Sequence, residues 1–267
     1  MSHKPDLSIV IPAYNEEQRL ERTLRDIDRY LDVAGRTAEV IVVDDGSRDG
    51  TSVLVRRLRA ELGALRLIRL PQNRGKGYAV RTGVVNAVGE KVLFADADGA
   101  TPIEEVERLE AAMARESADV AIGSRALRGV GTEVRARLYR RLIGRFFHLL
   151  VSALTVRGFK DTQCGFKLFT ARAADDLFSR MRMNGFSFDV ELLLLAQRGG
   201  YRVAEVPVNW EHQPGSRVNL VLDSLRMARD LFVIRNHAMR GRYNQRHLPP
   251  AELPHPAGSN EAAEPGR

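Results

Sequence analysis

Residues 40–51 read Val-Ile-Val-Val-Asp-Asp-Gly-Ser-Arg-Asp-Gly-Thr, an apolar, β-branched run that ends in two carboxylates and a turn. Such a run is typical of a buried strand, and the same succession of strand, polar turn and amphipathic stretch recurs from residue 7 to 122. We predict strands at 7–11, 40–43, 65–70, 91–95 and 120–122, and helices at about 16–33, 50–62, 76–88 and 103–116. This alternation predicts an α/β fold with a mostly parallel, Rossmann-like sheet and helices on both faces.

Polar, acidic or turn-forming residues follow three of these strands, at 12–16, 44–47 and 96–99. In open parallel sheets, ligands bind at the carboxyl ends of the strands. We therefore expect the functional residues to lie along one edge of the sheet.

Asp44 and Asp45 directly follow a predicted strand. A carboxylate there can accept hydrogen bonds from a ribose hydroxyl or a base N–H, and Gly46 lets the chain turn away beneath the ligand. An ordinary turn, in which Asp49 or Thr51 caps the next helix, explains the same residues. The sequence leaves both interpretations open.

Asp96 and Asp98 lie two residues apart after the predicted strand 91–95. Two such carboxylates repel each other unless a cation lies between them or one is protonated. Their oxygens suit Mg²⁺ or Mn²⁺, which would bridge to a diphosphate. The alternative is a turn at Asp98 that leads into the helix after Pro102.

Two further segments carry candidate residues. The basic turn Asn-Arg-Gly-Lys-Gly at 73–77 lets the backbone approach a phosphate at a helix N-terminus, which makes Lys76 a candidate donor-binding residue. It lacks Walker A spacing, and no G-x-G-x-x-G follows the first strand.

Asp189 and Glu191 precede an apolar run, so that at least one of them lies near the core, where a carboxylate needs a hydrogen-bonding partner or a functional role. A helix start with acidic residues near its positive end explains them equally well.

The net charge of +7 is located in one segment. Residues 125–157 contain eight Arg and one acid, Glu133, which gives 8 − 1 = +7, while the rest of the chain sums to zero. Apolar residues at three- to four-residue spacing predict an amphipathic helix at about 134–157 and a second one at about 220–239, with Phe232 on its apolar face. A basic amphipathic helix fits an anionic membrane interface or a solvated arginine face.

The remaining composition limits the location of the protein. The single cysteine, Cys164, cannot form an internal disulfide, which favours a reducing compartment. Neither a secretory signal nor an apolar run of membrane-spanning length is found. The tail 245–267 holds five of the eleven prolines and is predicted to be disordered. We expect one domain at 1–244 in the cytoplasm, peripheral at the cytoplasmic face of a membrane, and make no prediction of oligomeric state.

Five segments in order resemble the family 2 glycosyltransferases of the GT-A fold: residues 9–16, 42–47, 73–76, 96–98 and 123–125. Downstream, residues 161–169, 188–192 and 208–210 resemble the dolichyl-phosphate β-glucosyltransferase branch in particular. The resemblance runs from about residue 6 to 240. It implies a nucleotide-sugar-binding half at about 6–125 and an acceptor half at 126–244.

The resemblance also implies residue roles. The base and ribose of the donor would be held by Pro12, Tyr14, Glu16, Asp44 and Asp45. The metal would be held by Asp96 and Asp98, and the acceptor phosphate by Arg125 and Arg217. Asp189 matches the position at which hydroxyl-transferring relatives keep a general base.

The implied reaction is the metal-dependent, inverting transfer of a hexose, glucose from UDP-glucose, to a polyprenyl phosphate. Mannosyl-transferring relatives often have Gln where this chain has Ala100, which favours glucose, although a GDP-mannose enzyme remains an alternative. A transferase with a hydroxyl acceptor and Asp189 as base is another. A nucleic-acid-binding module would need a base-reading motif, and none is present. The intact Asp96 and Asp98 argue against an inactive nucleotide-sugar-binding protein.

Overall fold

The computed structural model describes residues 4–129, 131–135, 155–213 and 220–247. In these residues the strands are β1 Leu7–Ala13, β2 Ala38–Asp44, β3 Leu65–Arg69, β4 Lys91–Ala95, β5 Val120–Ser124, β6 Val134–Arg135, β7 Phe166–Thr170, β8 Val203–Pro207 and β9 Trp210–Glu211. The helices are α1 Leu20–Ala34, α2 Thr51–Arg59, α3 Lys76–Val85, α4 Glu105–Glu116, α5 Ala171–Arg180, α6 Phe188–Arg198 and α7 Leu220–Met239, followed by a 3₁₀ turn at Arg242–Asn244.

Seven of the described strands form the main sheet, in the order β3-β2-β1-β4-β7-β5-β8. Neighbouring strands are parallel except that β7 is antiparallel to both β4 and β5. Every residue of β1 is buried, as expected for a strand that is covered on both faces. The predicted α/β fold with a mostly parallel sheet and helices on both faces is therefore confirmed.

Two apolar cores cover the two faces of the sheet. Leu24 and Leu109, from α1 and α4, lie in one core, whereas Val80 and Phe178, from α3 and α5, lie in the other. Helix α3 packs very closely on β1, because a Cβ at Gly83 would clash with the side chain of Val10 and lie 3.0 Å from Val43 Cγ2. Close packing of this helix fixes the position of its N-terminus at the carboxyl edge of the sheet.

The predicted elements of the first half are all present, and the ends of most of them are shifted. Strand β2 extends to Asp44, so that this carboxylate is the last residue of the strand. Helix α1 begins at Leu20 instead of about residue 16, because Glu16 and its neighbours form a turn that is bonded to the region after β2. The described part of the chain contains no helix that is both long enough and apolar enough to cross a membrane.

The two predicted amphipathic helices have different outcomes. Helix α7 has the predicted bounds, and the buried side of its described part is Met227, Leu231, Ile234 and Ala238, while Phe232 is 59% exposed. The apolar face that the helical spacing gives to Phe232 is therefore not the face that is buried, because packing on the second core selects another side of the helix. Of the segment 134–157, Val134–Arg135 is instead a strand paired with Trp210–Glu211, and 136–154 lie outside the described residues.

The predicted tail begins with residues that contact the domain. Arg246 Nε donates to Ser179 Oγ at 3.0 Å, and the Arg246 guanidinium also pairs with Asp175. Residues 248–267 lie outside the described residues.

Candidate active site

Asp96 and Asp98 follow β4 at the carboxyl edge of the sheet. Asp96 Oδ1 lies 2.6 Å from Lys76 Nζ, and Asp98 Oδ2 lies 3.8 Å from an Arg19 guanidinium nitrogen. The Ala100 N–H donates to Asp98 Oδ1 at 3.1 Å, so the turn expected at Asp98 is present. Because the side chains remain 35% and 27% exposed, the turn does not prevent these carboxylates from meeting a ligand.

The electrostatics of this pair fit a divalent cation. Burial, and then the charge of Asp96, raise the pKa of Asp98, so the ionised pair is under-neutralised despite its basic neighbours. Among the residues that the structure describes, no group of three His, Cys, Asp or Glu side chains could hold a metal ion. Mg²⁺ is often bound by one or two carboxylates with the remaining ligands from water and substrate phosphates. The Asp96 and Asp98 oxygens match that arrangement.

Asp44 and Asp45 organise the two loops beside this pair. Asp44 is fully buried and accepts hydrogen bonds from Ser47 N at 2.8 Å and from Ser52 Oγ. Asp45 accepts from the N–H groups of Arg74 at 2.7 Å and Gly75 at 2.9 Å. The geometry gives Asp44 a turn-forming role, and it makes Asp45 the residue that fixes the basic loop 73–77. Contacts of either carboxylate with a donor stay a prediction.

The segment after β1 is joined to the same loops. Pro12 lies within β1 opposite Val43, and Tyr14 is partly exposed just beyond it. Asn15 has a left-handed backbone conformation with φ 55°, and its N–H donates to Ser47 Oγ at 2.9 Å. The Glu16 carboxylate accepts from Arg19 at 2.6 and 2.8 Å. The predicted donor-binding residues are thus brought together along one edge of the sheet.

A buried ion pair lies behind Asp96. Asp189 is the second residue of α6 and is almost fully buried, and its carboxylate accepts a hydrogen bond from Lys167 Nζ on β7. The same ammonium donates to Cys164 O at 2.6 Å. Burial raises the pKa of Asp189, and the positive charges of Lys167 and Lys76 oppose that shift. Asp189 is therefore both a helix-start residue and a member of the charged cluster around Asp96.

Arg125 directly follows β5 and is held in place by Asp161. Its Nε and Nη2 donate to the two oxygens of Asp161 at 2.7 and 2.9 Å, and its guanidinium lies 5.6 Å from the ring centre of Trp210. Burial opposes ionisation of Asp161, but the charge and hydrogen bonds of Arg125 outweigh it and lower the pKa of Asp161 to about 2. Glu205 supports the pair by accepting from Asp161 N at 2.8 Å.

A cavity of about 780 Å³ adjoins the site, and Asp96, Thr101 and Trp210 are among the residues that line it. Of the predicted site residues that the structure describes, Asp96 alone lines this cavity. Arg125 lies behind the lining, where it packs on Trp210. Arg217, the second predicted acceptor residue, lies outside the described residues.

A sequence profile described as Glycosyl transferase family 2 matches residues 8–178. Over 247 residues the chain is 41% identical to the dolichyl-phosphate beta-glucosyltransferase of Homo sapiens. The matched region covers 88% of this chain and 76% of the human protein. The chain belongs to the family 2 glycosyltransferases. The protein of the same name from Saccharomyces cerevisiae is 40% identical over 255 residues, with 89% of this chain and 76% of the yeast protein covered. The predicted family resemblance is confirmed.

Solved structures of glycosyltransferases share the fold. Glucosyl-3-phosphoglycerate synthase from Mycobacterium tuberculosis, in complex with Mn²⁺, UDP-glucose and phosphoglyceric acid, matches with a TM-score of 0.61 at 22% identity, covering 92% of this chain and 81% of the other. S. aureus TarS 1-349 matches with a TM-score of 0.51 at 19% identity, over 85% and 65% of the two chains. The GT-A fold predicted for this glycosyltransferase is thereby confirmed.

Sequence reasoning missed several residues of the site. No role was predicted for Lys167, the partner of Asp189. Asp161 and Trp210 belonged to segments that resemble the family, but their contacts with Arg125 were not predicted. The lone charged residue between Phe166 and Leu168 was the available signal for Lys167, because a lysine in a buried strand needs an acidic or carbonyl partner.

Proposed function

We propose that this glycosyltransferase moves glucose from UDP-glucose to the phosphate of dolichol or another polyprenol, with inversion at the anomeric carbon. The observation that carries the proposal is the arrangement around the cavity. Asp96 and Trp210 line it together, and Arg125 packs on Trp210. This places a carboxylate suited to a metal-bound diphosphate in the wall of the cavity and a cation suited to an anionic acceptor behind that wall.

The donor would bind where α3 begins. The basic loop 73–77 is fixed by Asp45, and a helix N-terminus with glycines beside it favours a phosphate. Lys76 extends from this turn toward Asp96 and would contact the diphosphate. Asp96 and Asp98 would hold Mg²⁺ or Mn²⁺, whose charge stabilises the departing nucleoside diphosphate.

The acceptor side supports a phosphate nucleophile. A phosphate is ionised at neutral pH and attacks without a general base, whereas a sugar hydroxyl usually needs one. Asp189, the candidate base, is buried and bonded to Lys167, which fits a structural and electrostatic role. Arg125, with its Nε and Nη2 held by Asp161, would orient the acceptor phosphate. The names of the human and yeast relatives support dolichyl phosphate as that acceptor.

The outward face of α7 supports peripheral association with an anionic membrane, and we place that association at the cytoplasmic face as part of the proposal. Phe232 and Met239 are 59% and 70% exposed, and Arg229 and Arg240 are exposed beside them. The one acid in the described side chains of this helix, Asp230, is buried and accepts from Ser187 Oγ at 3.0 Å and from Arg229 Nη2 at 3.0 Å. An outward face with cationic and apolar groups is the composition that binds anionic lipid surfaces.

The test is release of nucleoside diphosphate from UDP-glucose or GDP-mannose, with and without a short polyprenyl phosphate, in Mg²⁺, Mn²⁺ or EDTA. We expect turnover with UDP-glucose that needs both the lipid phosphate and the metal and is lost in Asp98→Ala. Glu61→Ala removes an exposed carboxylate that pairs with Arg25 and is the matched control. Turnover with GDP-mannose alone would replace the proposed donor.

A hydroxyl acceptor is the second candidate, because burial raises the pKa of Asp189 toward the range of a general base. The two candidates differ in their dependence on Asp189. If a soluble sugar or glycerate supports turnover, and Asp189→Asn abolishes it together with the acidic limb of its pH profile, the lipid-phosphate proposal fails.

A further inference from the structure

Glu191 is a fully buried carboxylate that does not line the cavity and accepts hydrogen bonds from three donors. Its Oε2 accepts from the N–H groups of Arg182 at 2.9 Å and Met183 at 2.8 Å, and its Oε1 accepts from Tyr243 Oη at 2.7 Å. Burial raises the pKa of Glu191 to about 6, and the Met183 N–H is the strongest of the groups that oppose this shift. The carboxylate thus joins α6 to the loop 181–185 and to the 3₁₀ turn after α7.

The loop 181–185 in turn supports the first turns of α3. Arg81 donates from Nη1 to Met181 O at 2.7 Å and from Nη2 to Asn184 Oδ1 at 3.3 Å. The N–H of Tyr78 donates to Asn184 O at 3.2 Å. Three hydrogen bonds therefore connect this loop with the helix that begins at the proposed donor site.

The contact between the loop and α3 leaves no room for side chains. A Cβ at Gly75 would lie 2.5 Å from Asn184 O, and one at Gly77 would lie 2.6 Å from Met183 O. Lys76 is the residue between these two glycines, and its ammonium lies 2.6 Å from Asp96 Oδ1. Any displacement of the loop would move the backbone from which Lys76 extends.

We propose that Glu191 is a positioning residue, which holds the loop 181–185 against the Gly75–Gly77 turn and thereby fixes Lys76 for the diphosphate of the donor. The last clause rests on the proposed function, whereas the mechanical connection from Glu191 to Lys76 does not. Glu191 touches no reacting atom in this scheme and acts only through the loop.

The experiment compares Glu191→Ala with Glu39→Ala. Glu39 is also a buried carboxylate, which accepts from Ser8 Oγ at 2.6 Å and Val88 N at 2.7 Å, but it belongs to β2 and lies outside the connection to Lys76. Hydrogen exchange of residues 74–79 is measured without ligand, at a temperature where both variants are folded, and the Kd of UDP is measured by calorimetry in Mg²⁺.

We expect Glu191→Ala to speed exchange of the Tyr78 N–H and its neighbours, and to raise the Kd of UDP, each by about tenfold or more, because hydrogen bonds to a buried charge are lost. Glu39→Ala should leave both unchanged, and Glu191→Gln, which keeps one acceptor oxygen, should restore most of each. In turnover the KM of the donor should rise more than kcat falls.

Equal exchange of residues 74–79 in Glu191→Ala and Glu39→Ala would overturn the proposal. Faster exchange with an unchanged Kd of UDP would keep the connection and refute the donor contact of Lys76, which belongs to the proposed function. If Glu191→Ala does not fold, Tyr243→Phe removes one of the three donors to the carboxylate and should shift both measurements in the same direction by a smaller factor.

Discussion

Replacing Lys167 with methionine should destabilise the protein strongly. Methionine has a similar length but no charge, so Lys167→Met leaves the buried Asp189 carboxylate without its bonded partner. Removing one partner of a buried ion pair costs about 3–5 kcal/mol. Because Lys76 also interacts electrostatically with Asp189, we expect the lower end, about 3 kcal/mol.

Thermal and urea unfolding measure this loss. For a chain of this size about 3 kcal/mol corresponds to a decrease of Tm by about 6–12 °C. The loss should depend on pH, since without Lys167 the pKa of the folded-state Asp189 rises further above the ordinary value for an aspartate. The folded variant then binds a proton more readily than the unfolded chain. Its destabilisation is therefore largest above the raised pKa and diminishes as the pH falls through it.

A double variant decides whether the ion pair is responsible. Lys167→Met combined with Asp189→Leu removes both charges, and apolar replacement of a buried pair is often neutral or stabilising. We therefore expect the double variant to be more stable than Lys167→Met alone. If the losses of the two single variants simply add, or if Lys167→Met unfolds at the Tm of the native protein, the proposed dependence of Asp189 on Lys167 is refuted.

Three further predictions concern the site and the membrane surface. A Cβ at Gly165 would overlap the Asp96 carboxylate, at 2.6 Å from Oδ1. Gly165→Ala should therefore lower kcat/KM by about 100-fold with little change in Tm. The control Gly63→Ala, whose added methyl group enters open space, should change neither quantity. Asp161→Asn removes the charge that holds Arg125 and should raise the KM of the acceptor by about tenfold without changing that of the donor; an equal rise for both would contradict the assignment. Phe232→Ser should reduce flotation with vesicles that contain phosphatidylglycerol, and unchanged binding relative to Val33→Ser, an exposed apolar control on α1, would exclude α7 as the contact.

The strands of the first half could be predicted because the sequence features that indicate them lie within each strand and its neighbouring residues. The apolar run 92–95 is bounded by the charged residues Lys91 and Asp96, and the strand predicted at 91–95 matches β4 at both ends. The second carboxylate, Asp98, follows two residues later. Parallel strands end at a common edge, so the position of these carboxylates follows from the order of elements alone. The same reasoning placed Asp44 at a strand end but could not show that its carboxylate faces Ser47 and Ser52.

The remaining parts of the site depend on contacts between residues far apart in the chain. Strand β7 enters the sheet antiparallel between β4 and β5, and only this pairing brings Lys167 beside Asp189. Asp161 is 36 residues from Arg125, and neither residue type specifies the other as its partner. The exposed position of Phe232 likewise depends on which face of α7 meets the core, which its helical spacing does not determine.

The charged residues at the sheet edge are arranged in pairs before any substrate binds. Each of four carboxylates lies within 4.0 Å of a basic partner: Asp96 with Lys76, Asp98 with Arg19, Asp161 with Arg125, and Asp189 with Lys167. In two of these pairs the carboxylate, Asp161 or Asp189, is almost fully buried, and these pairs fix the positions of Arg125 and Lys167. The carboxylates of Asp96 and Asp98 remain partly exposed.

A diphosphate bound at this edge, as proposed, would add negative charge beside Asp96 and Asp98, where the pKa of Asp98 is already raised. It would then compete with Asp96 for Lys76. A divalent cation held by the two carboxylates would neutralise them and leave Lys76 available for the phosphates. The pairing of charges in the free protein is thus itself a reason to expect that donor and metal bind together.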